Sequence, residues 1–151
     1  MNVFELLKND HEKVSRIFEQ LESAPASDAS SRRQLFVQLK QELDLHTHAE
    51  ETIFYPVLKQ AAATREITLD AYEEHQEVKN LLAELEGLPM DDEEWQDILV
   101  ELRENVEHHV EVEENEMFEQ ARGILSPAQI EELGDRIQAD KQQQQKMVAG
   151  A

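Results

Sequence analysis

The chain has 151 residues, with 34 acidic side chains against 14 basic ones, a net charge of −20 and no cysteine. That charge argues against a basic face for nucleic acid or anionic membranes. The missing thiols exclude disulfides, cysteine nucleophiles, cysteine-bound zinc and iron–sulfur clusters together. No apolar run approaches the roughly 18 to 20 residues of a membrane span, and Met1–Lys8 lacks the apolar stretch of a signal peptide. The sequence therefore predicts a cytoplasmic protein with no nucleic-acid and no membrane partner. Few glycines and prolines among many Glu, Gln, Leu and Ala point to an all-α chain.

The first predicted helix runs from Asn2, a candidate N-cap with Glu5 three residues on, to Ser23. A small, polar loop follows over Ala24–Ser31. The second helix spans Arg32–Thr64 and contains Pro56, which kinks a regular helix or costs it about 3 kcal/mol. The third runs from Thr68 to Glu86 and stops at Gly87-Leu88-Pro89. The fourth begins at Asp91 or Asp92, where acidic residues suit the positive end of the helix dipole, and ends at Arg122-Gly123. Ser126-Pro127-Ala128-Gln129 is a capping box that opens a shorter fifth helix to about Lys146, with Gln142–Gln145 and the last residues fraying.

Apolar spacing predicts the architecture. Phe4, Leu7, His11, Val14, Phe18 and Leu21 recur every three or four residues. So do Leu39, Leu43, His46, Glu50, Ile53 and Val57; Ala71, His75, Val78, Leu82 and Leu85; and Leu99, Leu102, Val106, His109, Glu113 and Met117. Four such stripes with short connections predict an up-down-up-down four-helix bundle over 1–124, with 125–151 as an additional short C-terminal helix and tail.

Every stripe is interrupted by a histidine, and two of them by a glutamate four residues later. Ionisable groups on a core seam are costly unless they are paired or bind metal. Imidazole and carboxylate together suit iron or manganese, and zinc accepts them. The chain also repeats itself. Asp10-His11-Glu12-Lys13-Val14 corresponds to Glu74-His75-Gln76-Glu77-Val78, and His46-x-x-x-Glu50-Glu51 to His109-x-x-x-Glu113-Glu114. Two hairpins thus offer equivalent sets, one His followed by His-x-x-x-Glu. A dyad between them predicts two metals near the bundle axis, bridged by glutamates from opposite helices. His48 and His108 fall off the inward stripe and read as solvated. Tyr72 is a hydrogen-bond candidate behind the site, Trp95 packs the bundle end, and Asp91–Glu94 form a solvated helix start.

These residues resemble the hemerythrin-like, or HHE cation-binding, family. The resemblance rests on Asp10-His11, on His46-x-x-x-Glu50-Glu51 followed by Ile53-Phe54-Tyr55-Pro56, on Glu74-His75, and on His109-x-x-x-Glu113-Glu114 followed by Met117-Phe118, and covers about residues 2–122. It implies a non-haem di-iron centre, oxo- or hydroxo-bridged, with His11, His46, His75 and His109 as terminal ligands and Glu50 and Glu113 as bridges. Glu51 and Glu114 are implied as outer groups or alternative ligands. Oxygen-carrying hemerythrins place a fifth histidine where this chain has Ala71, which implies a nearly symmetric centre open at both irons. The implied partners are oxygen, peroxide or nitric oxide, for sensing, storage or redox handling. The alternatives are a peroxidase- or ferroxidase-like enzyme and an iron-responsive regulatory domain. No general acid, nucleophile or substrate pocket is evident in the sequence apart from the metals.

Overall fold

Short polar side chains open most of the helices. Asn2 Oδ1 accepts the Phe4 N–H at 2.8 Å, Asp28 Oδ1 the Ser31 N–H at 3.1 Å and Asp92 Oδ1 the Glu94 N–H at 3.0 Å. The predicted capping box is formed: Ser126 Oγ accepts the Gln129 N–H at 3.1 Å, and Gln129 Oε1 accepts the Ser126 N–H at 2.8 Å. Such caps typically contribute about 1 kcal/mol each.

The computed structural model describes residues 1–150, and no strand occurs among them. Helix α1 spans Val3–Ser23 and α2 Ala29–Ala49. After a π turn at Glu50–Phe54, α3 continues over Tyr55–Gln60. Helix α4 spans Ala62–Gly87 and α5 Glu93–Val112. A second π turn, Glu113–Met117, leads into α6, Phe118–Arg122, and α7 covers Pro127–Gly150. Flanking residues of both π turns keep right-handed helical dihedrals, so α2–α3 and α5–α6 are continuous rods. Five rods result, as predicted in number. Helix α1 packs on α2 and α4 on α5, while α7 lies across α1, α2 and the first π turn.

Three boundaries differ from expectation, the first being α2, which begins at Ala29, inside the expected loop Ala24–Ser31, because Asp28 caps it. The break between the second and third rods falls at Ala61, which is extended, and α4 begins at Ala62 rather than Thr68. Thr64 Oγ donates to the Leu58 carbonyl and Thr68 Oγ to the Thr64 carbonyl, so these hydroxyls are satisfied inside the helical corner. The fifth rod is not the short helix expected: with 24 residues it is longer than α1, at 21, and continues helical through Gly150, past the expected fraying at Gln142–Gln145. Its Gly134 sits where a Cβ would collide with the Met1 carbonyl, so this glycine lets α7 approach the chain start closely.

The π turns explain Pro56 and shift the buried stripe. The Tyr55 N–H bonds to the Glu50 carbonyl, five residues back, and the Phe118 N–H to that of Glu113. Each turn thus holds one extra residue. The widened turn spares Pro56 the clash with a carbonyl four residues back that an α-helix imposes. The second turn has no proline, so Pro56 exploits the bulge and does not cause it. Beyond it Phe54, Tyr55 and Leu58 are fully buried while Val57, the predicted stripe position, is only half-buried.

The core has two blocks. One gathers Leu7, Phe54, Tyr55, Leu58, Phe118, Leu133 and Ile137 where α7 packs. The other gathers Val14, Phe18, Leu39, Leu82, Leu99 and Leu102, with Trp95 closing its end by donating Nε1–H to the Leu85 carbonyl at 3.1 Å. On every ligand-bearing rod the histidine lies between a residue of one block and a residue of the other.

Candidate metal centre

All six predicted site residues converge between the two core blocks, and each is buried. His11, His46, Glu50 and Glu113 bring ligand atoms within 4.8 Å of one another, and so do Glu50, His75 and His109. Glu50 Oε1 lies 2.9 Å from His46 Nε2 and 3.2 Å from His75 Nε2. Glu113 reaches His11 Nε2 at 3.2 Å through Oε1 and His109 Nε2 at 3.2 Å through Oε2. Each glutamate therefore spans one histidine of its own rod and one of the other hairpin. The imidazoles pair edge to face in both halves, His11 with His46 at 4.8 Å and 66°, His75 with His109 at 4.9 Å and 68°.

The outward nitrogens explain why the inward ones converge. His11 Nδ1 meets Glu114 at 2.7 Å and His46 Nδ1 meets Asp10 at 2.8 Å. His75 Nδ1 meets Glu51 at 3.0 Å and His109 Nδ1 meets Glu74 at 2.6 Å. A carboxylate on Nδ1 orients the ring and leaves Nε2 to face the centre, an arrangement typical of metal-binding histidine. Asp10 and Glu74 act within their own hairpins, whereas Glu51 and Glu114 act across to the other. Glu51 and Glu114 thus stand behind the histidines, as one of the two expected roles had it. Tyr72 also sits behind the site, donating to the Glu51 carbonyl at 3.3 Å. His48 and His108 point away from it; His48 pairs with Asp140 at 3.0 Å.

Glu50 Oε2 is buried without a hydrogen bond, and the buried Glu50 Oε1 and Glu113 Oε1 face only imidazole Nε2 atoms 2.9 to 3.2 Å away, which match them only when those nitrogens carry a proton. Leaving such atoms unmatched is costly, more so for charged groups. A cation between the four imidazoles satisfies them, so the donor set fits a metal. Without one, protons take its place. Burial alone would lower the His46 pKa, but Glu50 and Asp10 raise it to about 10. His75 and His109 are likewise raised against their burial, by Glu50 with Glu51 and by Glu113 with Glu74.

The sequence reading missed Tyr55. Its hydroxyl donates to Glu113 Oε2 at 2.5 Å and lies 3.3 Å from both His75 Nε2 and His109 Nε2. Burial above all, and then Glu113, push its pKa well above the usual tyrosine value, so it stays a donor. On a regular helix Tyr55 is turned away from the Glu50 stripe, and only the π turn brings it inward. Its counterpart in the repeat is Phe118, whose ring stacks 6.4 Å from that of His11. The expected symmetry therefore fails at one hydroxyl.

A cavity of about 30 Å³ adjoins the four histidine rings, walled by Val14, Leu43, Val78, Val106 and Val110. A wider one, of about 230 Å³, lies against Ala71, His109, Glu113 and Met117.

Comparison with known proteins places the fold in a cation-binding family. The family described as Hemerythrin HHE cation binding domain matches residues 2–121. The solved structure of an HHE cation-binding-domain protein from Mycobacterium kansasii, a homologue of Rv2633c, superposes with a TM-score of 0.85 at 28% identity, covering 95% of this chain and 86% of that one. Rv2633c of Mycobacterium tuberculosis H37Rv, an uncharacterized protein, is 32% identical over 144 residues, which span 92% of this chain and 84% of its own. A protein of Nostoc sp. PCC 7120 named DNA nickase is 29% identical over 150 residues. The chain spans 42% of that relative's length.

Proposed function

The chain belongs to the hemerythrin HHE cation-binding domain family, and from that premise we propose that His11, His46, Glu50, His75, His109 and Glu113 hold two non-haem iron ions for binding oxygen, peroxide or nitric oxide. One observation carries the reading: three buried carboxylate oxygens with no partner other than imidazole lie among four Nε2 atoms, each imidazole anchored behind by its own carboxylate. A pair of irons supplies redox-active coordination positions when bound. The chain's part is to fix ring orientation through Asp10, Glu51, Glu74 and Glu114 and to exclude water with the valines and Leu43. The cavity of about 30 Å³ on that apolar side leaves room for a small neutral molecule.

Tyr55 favours a second reading, an enzyme that turns over peroxide or ferrous iron. A hydroxyl donor at the centre holds a proton beside Glu113, as proton-coupled turnover needs and mere binding does not. No helix among the described residues is long and apolar enough to cross a membrane, and we keep the cytoplasmic assignment. We assign no nucleic-acid role: the net charge of −20 disfavours it, and most of the Nostoc relative lies outside the shared span.

Anaerobic metal analysis, with optical spectra before and after oxygen, tests the proposal. The expected result is two irons per chain and the spectrum of a coupled di-ferric pair after oxidation. A protein purified in iron-replete medium that carries no iron, or a single ion, overturns it. Rapid turnover of peroxide at fixed protein concentration selects the enzyme.

A further inference from the structure

The internal repeat extends beyond the ligands to the surfaces that flank them, and there the two hairpins part. Aligning His11 with His75 and His46 with His109 pairs Leu6 with Asp70, Leu7 with Ala71, Leu45 with His108 and Ile53 with Glu116. The α1–α2 version of this flank is apolar, and α7 packs across it. On that side Lys141 of α7 also pairs with Asp10, the carboxylate behind His46. The α4–α5 version is polar and open. Asp70, His108 and Glu116 are exposed, Glu74 is half-buried, and together they line the cavity of about 230 Å³.

The inner wall of that cavity is the metal centre itself. Ala71, His109 and Glu113 line it. Glu113 is 1% exposed and spans from His109 on this side to His11 across the centre, so a cation that reaches it has reached the six buried residues. Ala71 presents only a methyl group to this cavity where Leu7 fills the matching position on the covered side. From solvent inward a cation meets Glu116 and Asp70, then Glu74, then Glu113. These are hard oxygen donors, suited to holding a divalent ion weakly and handing it on. The small apolar cavity lies on the other side of the imidazoles, within the second core block, and offers a hydrated ion nothing in place of its water.

We propose that the open α4–α5 flank is the loading port through which a divalent cation reaches the centre, with Asp70 and Glu116 as its outer attracting groups and Ala71 as its gap. It rests on the reading of the six buried residues as a metal centre. Cations and small neutral ligands then arrive by separate routes, and α7 is the element that closes the equivalent route on the other hairpin.

Cobalt(II) is a redox-silent probe. Its uptake by chelator-treated protein is followed by stopped-flow absorbance, and its release from loaded protein by transfer to a chelator. The double variant Asp70→Asn/Glu116→Gln is compared with Glu131→Gln/Asp135→Asn, an equal charge change on exposed residues of α7. Because steering by a charged cleft raises association 10-fold or more, the port variant should load about 3- to 10-fold more slowly at low ionic strength, against little change in the control. Release through the same barrier should slow as well, a readout on the loaded protein that does not depend on the metal-free fold. Ala71→Leu, copying Leu7, should slow both steps. Equal slowing in port and control variants, or unchanged uptake and release in Asp70→Asn/Glu116→Gln, overturns the port. The metal-centre reading stands or falls separately, on whether the wild type binds two ions at equilibrium.

Discussion

The two hairpins carry the same four kinds of group at the centre, yet they are not equivalent. Each supplies a histidine, a His-x-x-x-Glu, a carboxylate that braces its own hairpin's histidine and another that reaches across. They differ in what stands next to that shared set. The α1–α2 half has Leu7 and is roofed by α7; the α4–α5 half has Ala71 and faces solvent through acidic residues. Tyr55, carried by the first hairpin, donates across to Glu113 of the second, and Phe118 offers nothing in return. The lesson is that the buried His/Glu pattern is kept in both halves while the flanks and one hydroxyl differ.

Deleting Glu50 should break the comparison most severely. It belongs to both ligand groups, whereas His11 belongs to one. Metal analysis is expected to find Glu50→Ala nearly empty, and His11→Ala retaining about one ion per chain, since the second group survives. Equal losses would show that the two halves fill only together.

Removing the metal should cost less, but measurably. At free ion about a thousand times above Kd, binding to the native state alone adds about 4 kcal/mol, on the order of 10 °C in Tm for a chain of this size. Calorimetry before and after chelation measures it. The metal-free protein should also show its own pH dependence. His46 is raised from 6.5 to about 10, with His75 and His109 raised too, so their protonation stabilises the fold fully below pH 6.5. That contribution is lost as pH rises toward 10. Urea unfolding of the metal-free protein should show falling stability across this window, and loading at neutral pH should release protons to an indicator dye.

Tyr55→Phe makes the two halves alike. It leaves Glu113 Oε2 without its donor, a cost of about 1 to 3 kcal/mol in unfolding free energy. If the hydroxyl supplies protons, peroxide turnover falls and its pH profile changes while metal content holds. Unchanged turnover would assign Tyr55 to packing. The smallest effects belong to His48→Ala and His108→Ala, which should leave metal content at the wild-type level by the same analysis. Loss of metal in either would mean that the inward phase of its rod is wrongly assigned.

The sequence alone determined the all-helical class, the five rods and the six ionisable residues that converge, buried, between the core blocks. Those are consequences of a period of three to four residues and of caps such as Asn2, Asp92 and Ser126, which act over one turn of chain. A histidine or glutamate on an apolar stripe is legible because its burial follows from its position on its own helix. Four features waited for the tertiary structure. The π turns depend on hydrogen bonds that no propensity separates from α-helical ones, and they carry Tyr55 inward from a position that looked turned away. The bracing carboxylates pair with histidines on other rods, so their partners depend on how the rods pack. The break at Ala61 is decided by how the helical corner satisfies Thr64 and Thr68. The contrast between the flanks exists only because α7 docks on one hairpin and not the other, and local spacing holds no information about which apolar surface a later helix will cover.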